Sequence, residues 1–117
     1  MKFVLMVIEN EMSKHAVREN RTEHRRQLER WMAEQAKTGR LRGGEAFDTE
    51  KAPVTIRRER DGSHVVAEGP FALGNETNGG FIVVEVADRQ EAIAVAKSWP
   101  TGETIEIWHV WTAKAGA

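Results

Sequence analysis

The sequence predicts an α+β fold in which two helices cover one face of a mainly antiparallel sheet. Three observations predict it. Lys2–Ile8 is a short apolar, β-branched run. Two later stretches repeat apolar residues at helical spacing. Asp61-Gly62 separates two strand-like runs. The chain has 117 residues, which suits one domain able to bury roughly two-thirds of its unfolded surface.

Residues 2–8 read as a central strand, because apolar and β-branched residues fit a pleated, buried position. The run is too short to span a bilayer and lacks the parts of a secretory signal, so a cytoplasmic protein is expected. Residues 9–18 are polar and read as a loop with a turn of helix. Residues 19–38 read as one long helix. Leu28, Trp31, Met32, Gln35 and Ala36 fall on one helical face, and Gly39 is placed to cap it.

Leu41–Phe47 reads as a short strand interrupted by Gly43-Gly44, the mark of a bulge or a close approach. Val54–Arg60 and Ser63–Glu68 flank Asp61-Gly62 and predict a hairpin with a type I′ turn. Gly69-Pro70 ends it, and residues 71–78 form a loop. Gly79-Gly80 opens the strand Phe81–Val86. Asp88-x-x-Glu91 starts a second helix in capping-box fashion. Ala92, Ile93, Val95, Ala96 and Trp99 give that helix its apolar face, and Pro100 stops it. Thr104–Trp111 alternates as a last strand, and Thr112–Ala117 is expected to fray. The order β-α-β-β-β-β-α-β is that of a ferredoxin-like layer. Its sheet keeps one face uncovered.

Composition narrows the function. With no cysteine, disulfides, thiol nucleophiles and Cys-ligated zinc are excluded. Seventeen basic and eighteen acidic residues give a net charge of −1, so no polyanion partner is favoured. Arg18, Arg21, Arg25, Arg26 and Arg30 are interleaved with Glu19, Glu23 and Glu29. That pattern reads as a solvated helix face and not as a nucleic-acid surface. His15, His24, His64 and His109 show no metal-ligand spacing. No phosphate loop or nucleophile elbow is present. No metal, cofactor, nucleic acid or membrane is expected.

Five segments, in order, resemble one family. Leu41-Arg42-Gly43-Gly44-Glu45-Ala46-Phe47 resembles its "L-x-G-G-E-A-L" strand, and Arg60-Asp61-Gly62 its hairpin. Glu68-Gly69-Pro70-Phe71-Ala72 is similar to the "D-G-P-F-A" signature, with Glu for Asp. Gly79-Gly80-Phe81 and Asp88–Ala96 match the strand and helix that follow. The chain thus resembles the DGPF group of YCII-related proteins over nearly its whole length. That resemblance implies a ferredoxin-like fold paired as a dimeric α/β barrel, and no settled activity. Some superfamily relatives are isomerases or monooxygenases, and the group is often encoded beside sigma factors. This chain departs from the pattern at Ala72-Leu73-Gly74-Asn75-Glu76, where the family has A-E-T-K-E. It departs again at Trp108-His109, where the family has Arg-Pro.

Candidate residues follow. His24 lies on the apolar stripe of the first long helix, four residues before Leu28. An imidazole at a cleft is a general acid or base; elsewhere it is a core-edge histidine. The resemblance points the same way, since YCII proteins carry a proposed catalytic histidine in an Arg-x-x-His context similar to Arg21-Thr22-Glu23-His24. Glu45 follows the double glycine. It is either a pocket carboxylate that orients His24 or the partner of Arg57 or Arg58 on a neighbouring strand. Glu68 is a further carboxylate of the site or an acceptor for the loop after Gly69-Pro70. His24, Glu45 and Glu68 are the candidate catalytic set. Arg57, Glu76, Trp31 and Trp108 are the candidate ligand contacts.

Two functions fit. One is an enzyme-like cleft taking a small apolar or aromatic molecule without a cofactor. The other is a non-catalytic dimeric binding or regulatory module, with a link to sigma-factor regulation suggested by the family's gene neighbourhood. In both the chain is expected to form a homodimer.

Overall fold

The computed structural model describes residues 1–70, 74 and 76–112. Strand β1 (Lys2–Glu9) leads into helices α1 (Glu11–Glu19) and α2 (Arg21–Lys37). Strands β2 (Leu41–Ala46), β3 (Val54–Arg58), β4 (His64–Glu68) and β5 (Thr77–Glu85) follow, then helix α3 (Arg89–Lys97) and strand β6 (Thr104–His109). One antiparallel sheet has the order β2-β5-β1-β6. Strands β3 and β4 form a separate two-stranded sheet. This is the expected ferredoxin-like α+β arrangement with two departures. The signature residues Phe71–Leu73 and Asn75, and the tail 113–117, lie outside the described residues.

The first departure is a third helix. Residues 9–18 are not a loop: Glu11–Glu19 is helical. Asn10 caps it by accepting the Ser13 N–H at 2.8 Å, and Ser13 Oγ accepts the Asn10 N–H at 2.9 Å. This reciprocal box satisfies two otherwise orphaned donors, with Ser13 in the place usually held by Glu or Gln. Asn20 then breaks the long polar stretch in two. It ends α1 and begins α2, accepting the Glu23 N–H at 3.2 Å.

Helix α2 closes as expected on Gly39, whose φ of 80° suits glycine. Gly39 N–H donates to Ala36 C=O and Arg40 N–H to Gln35 C=O, both at 3.1 Å. That pair of bonds is the Schellman pattern. Helix α3 starts at Asp88, which accepts the Glu91 N–H at 2.9 Å. The Glu91 carboxylate turns instead to Arg40 at 3.2 Å.

The second departure is the hairpin. It forms at Asp61-Gly62, but not as a type I′ turn, since no residue other than glycine has positive φ among the described residues. Gly62 alone does, at 91°. Gly62 N–H donates to Glu59 C=O at 3.0 Å, and Glu59 N–H to Ser63 C=O at 2.8 Å. This is the longer loop that ends on a left-handed glycine. Asp61 stays in the right-handed half of conformational space, free to accept the Ser63 N–H at 2.9 Å.

Period-two alternation decides which face of the sheet is covered. Phe3, Leu5 and Val7 point under the helices and are buried, as are Ile82, Val84 and Val86. Trp31 of α2 and Ala92 and Val95 of α3 complete the core. Each fully buried aliphatic or aromatic side chain stabilises the fold by about 1.5–3 kcal/mol. The Trp31 indole N–H donates to Ser98 Oγ at 2.9 Å, and its ring meets Trp99 edge-on at 5.1 Å. These contacts tie α2 to the end of α3. Val4, Met6, Ile8, Phe81 and Val83 point to the opposite, open face and are half-buried.

Strands β2 and β5 run unusually close. A Cβ on Gly44 would lie 2.5 Å from Phe81 O, and one on Gly80 would lie 2.5 Å from Glu45 O. Gly43 has the same unusual φ as Gly44, 155° against 149°, but its Cβ would meet nothing within 4 Å. The two positions therefore separate backbone strain from collision. Gly43→Ala should cost about 1–3 kcal/mol, the scale of a residue held in a sparsely populated region. Gly44→Ala should cost clearly more, by about 1 kcal/mol at least, in urea denaturation of the two variants. Equal losses would show that the close approach contributes nothing.

Candidate functional site

The site forms where strand β1 runs out of partners. A bulge between Val7 and Ile8 pairs Val7 with Gly80 but Ile8 with Asn78, leaving Gly79 as the extra residue. Glu9 lies over that glycine: a Cβ on Gly79 would sit 2.3 Å from Glu9 Oε1. Gly79 therefore provides the room for the Glu9 carboxyl. On the other side, β1 pairs Ile8 with Thr104 of β6. The next positions along the ladder, Glu9 and Glu103, place two carboxyl groups side by side.

Glu103 is the buried member, its side chain only 3% exposed. Its oxygens accept three side-chain donors. His24 Nε2 reaches Oε1 at 2.8 Å. The Trp99 indole N–H reaches Oε2 at 3.2 Å and Thr101 Oγ at 2.5 Å. Burial pushes the Glu103 carboxyl up, but the hydrogen bonds from Thr101, His24, its own backbone and Trp99 together outweigh it and hold the group below the ordinary carboxylate range. An ionised Glu103 accepts only, so Nε2 of His24 carries the hydrogen of this bond. Glu9 behaves oppositely. Burial and the neighbouring Glu103 charge raise its carboxyl above the ordinary range, against the opposing pull of Lys14 and His24.

These groups line a cleft of about 270 Å³. Its walls include Val7, Leu28, Met32, Ile82 and Trp99, and Glu9, His24 and Glu103 stand together in it. Among the described residues no lysine or arginine lines this cleft. His24 is 20% exposed at the side chain, so solvent and small molecules reach it. An imidazole held by a buried carboxylate, with a second carboxyl beside it, is equipped to move protons.

The structure places the other sequence candidates as follows. Glu45 lines the cleft but is exposed. Its neighbouring strand is β5, paired at Phe81, and not the strand that carries Arg57 and Arg58. Strand β3 lies off the main sheet. Glu68 ends β4 and is exposed, Glu76 is exposed just ahead of β5, and neither lines the cleft. Trp31 belongs to the core. Trp108 stands 59% exposed on the open face with its indole N–H bonded to Glu106. Sequence reasoning missed Glu9 and Glu103. Both sit where an apolar strand meets a polar end, at the last residue of β1 and just before β6, and an acidic residue there looks like an ordinary strand terminus. Among the described residues no group of three or more His, Asp or Glu is arranged to hold a metal.

The family comparison agrees with the resemblance to YCII-related proteins: a YCII-related domain matches residues 1–114. The chain belongs to the YCII-related family. No curated protein matches it. Membership of this family therefore rests on the whole domain and not on a single motif, and it assigns no reaction.

The two carboxyls should act on stability with opposite signs. Glu103 lies below its ordinary value in the fold, so it contributes stability above the ordinary carboxylate range, lost as pH falls through its folded value. Glu9 lies above its ordinary value, so its ionised form costs stability, a cost relieved as pH falls through that higher value. Glu103→Gln should lose about 1–3 kcal/mol at pH 7, because His24, Thr101 and Trp99 lose a charged acceptor, and the loss should shrink in acid. Glu9→Gln should be neutral or stabilising at pH 7. Denaturant titrations at pH 7 and pH 4 decide it; two variants destabilised alike would contradict the assignment.

Proposed function

We propose that the cleft transfers protons on a small, largely apolar molecule, with His24 as base, Glu103 as the group that orients it and Glu9 as a proton donor beside it. The observation that carries this reading is the 2.8 Å bond between His24 Nε2 and a carboxylate only 3% exposed, at the polar end of an apolar cleft. A buried carboxylate fixes the imidazole tautomer and stabilises the imidazolium that forms when Nδ1 takes a proton, the orienting role a carboxylate has in nucleophile–base–acid triads. Two carboxyls pushed to opposite sides of their ordinary range are suited to opposite duties, one staying ionised and one holding a proton. Neither duty needs a cofactor. Glu45 at the rim is the further contact proposed for a ligand.

The working unit is proposed to be a homodimer joined through the open sheet face. Support comes from the apolar character of that face and from exposed Trp108 on it. Exposed apolar surface of this kind marks interaction sites. A reducing cytoplasm is the proposed setting, in keeping with a chain free of cysteine.

The base can be tested before the natural substrate is known. Nitrobenzisoxazole opens when a base removes its ring C–H proton: the C≡N bond forms, the N–O bond breaks, and the negative charge leaves on a phenolate oxygen that absorbs visible light. The protein should accelerate this opening, and His24→Ala should lose about 10²-fold of the effect, the low end for a positioned base. Glu103→Gln should lower the rate while leaving the fold intact at pH 7. Equal rates for the protein and its His24→Ala variant would sink the reading.

A further inference from the structure

The hairpin arm, β3 and β4 with their turn, has no part in the cleft and makes a poor independent unit. A lone two-stranded hairpin is marginal in water. Its strands contact chiefly one another, and the bonds at its base, Gly69 N–H to Pro53 C=O at 2.7 Å and Thr55 Oγ to Gly69 C=O at 2.6 Å, lie within the arm. Its apolar residues face solvent: Val54 is 56% exposed, Ile56 63% and Val66 66%. The register pairs Ile56 with Val66 and Val54 with Glu68, so these three aliphatic side chains share one face. The whole molecule shows the consequence. Its radius of gyration is 16.7 Å, against about 13 Å for a compact domain of this length.

We infer that the arm clasps a second copy of this chain, laying its Val54–Ile56–Val66 face on the edge of that copy's open sheet face. The inference rests on the homodimer reading above. Two observations choose this occupant. The first is area. Four strands about 4.8 Å apart and six to nine residues long offer roughly 450 Å² of planar sheet, while a stable interface takes about 800 Å² from each partner. The sheet face alone falls short, and the arm supplies further apolar surface. The second is charge. Arg58 and Arg60 stand at the far end of the arm, and neither forms an ion pair among the described residues. The open face carries Glu106, held by the Trp108 indole N–H, and Glu85, which pairs with the Met1 ammonium at 3.7 Å, around its apolar centre. Two-fold pairing uses each arm and each face once, so the contact closes and does not run on into fibres.

A chain without cysteine makes the test clean. The protein's mass is measured by light scattering across a dilution series, for wild type and for Ile56→Ser with Val66→Ser. Wild type should be a dimer, and the variant should dissociate at about tenfold or more higher concentration, with an unchanged circular dichroism spectrum. Separately, Ile56→Cys and Trp108→Cys proteins are mixed and treated with a short bismaleimide. A covalent product joining the two kinds of chain is expected, formed less at high salt. A dimer as tight in the arm variant as in wild type would overturn the clasp while leaving the sheet-to-sheet dimer standing, as would the absence of the mixed product. A monomer at every concentration would overturn both.

Discussion

The buried carboxylate of Glu103 is the constraint on which the rest of the site depends. A carboxylate excluded from water is costly unless it is paired and fully hydrogen-bonded. Here it gathers donors from three places in the chain. His24 comes from the second helix, Trp99 from just past the third, and Thr101 from the turn into the last strand. Satisfying one charge therefore fixes the positions of α2, α3 and β6 relative to one another. The apolar core makes the same joint from beneath, through the Trp31–Ser98 bond and the Trp31–Trp99 ring contact. Polar satisfaction and packing point to one geometry, the consistency expected of a well-specified fold.

That joint also explains how an unspecialised layer holds a polarised cleft. The bulge at Gly79 lets Glu9 turn under the helices beside Glu103. Two like charges placed side by side do not share one environment equally. The one with three donors keeps its charge, and the other is driven towards its neutral form. The difference between the two arises from local hydrogen bonding, not from depth alone.

Much of the fold was legible in the sequence, and the reasons for the misses are specific. Local signals spoke clearly where one residue type has one physical use: Gly39 as a left-handed cap, Asp88 as an N-cap and Gly44 at a close approach. The first helix was missed because its capping box uses Ser13, and because Asn20 cuts a polar stretch whose periodicity is weak. The hairpin was placed correctly but given the wrong turn, since Asp-Gly serves both a two-residue and a longer loop. At the site, His24 was visible from its place on an apolar stripe. Its partner was not, because Glu103 lies 79 positions away and only the β1–β6 register brings it near. Glu45 was paired with the wrong strand for the same reason: strand order is a long-range property that local spacing does not carry.

The position of the arm in the chain gives it a second significance. It is inserted between two segments that line the cleft, the end of β2 at Ala46–Phe47 and the start of β5 at Gly79–Ile82. These two segments are held together by Phe47 N–H donating to Gly79 C=O at 2.9 Å and by the ring contact of Phe47 with Phe81. A force on the arm is therefore applied across the cleft wall that carries Gly79, the glycine over which Glu9 rests. In the proposed reading, assembly through the arm and proton chemistry in the cleft would be joined through the covalent chain that links them, without a separate signalling element.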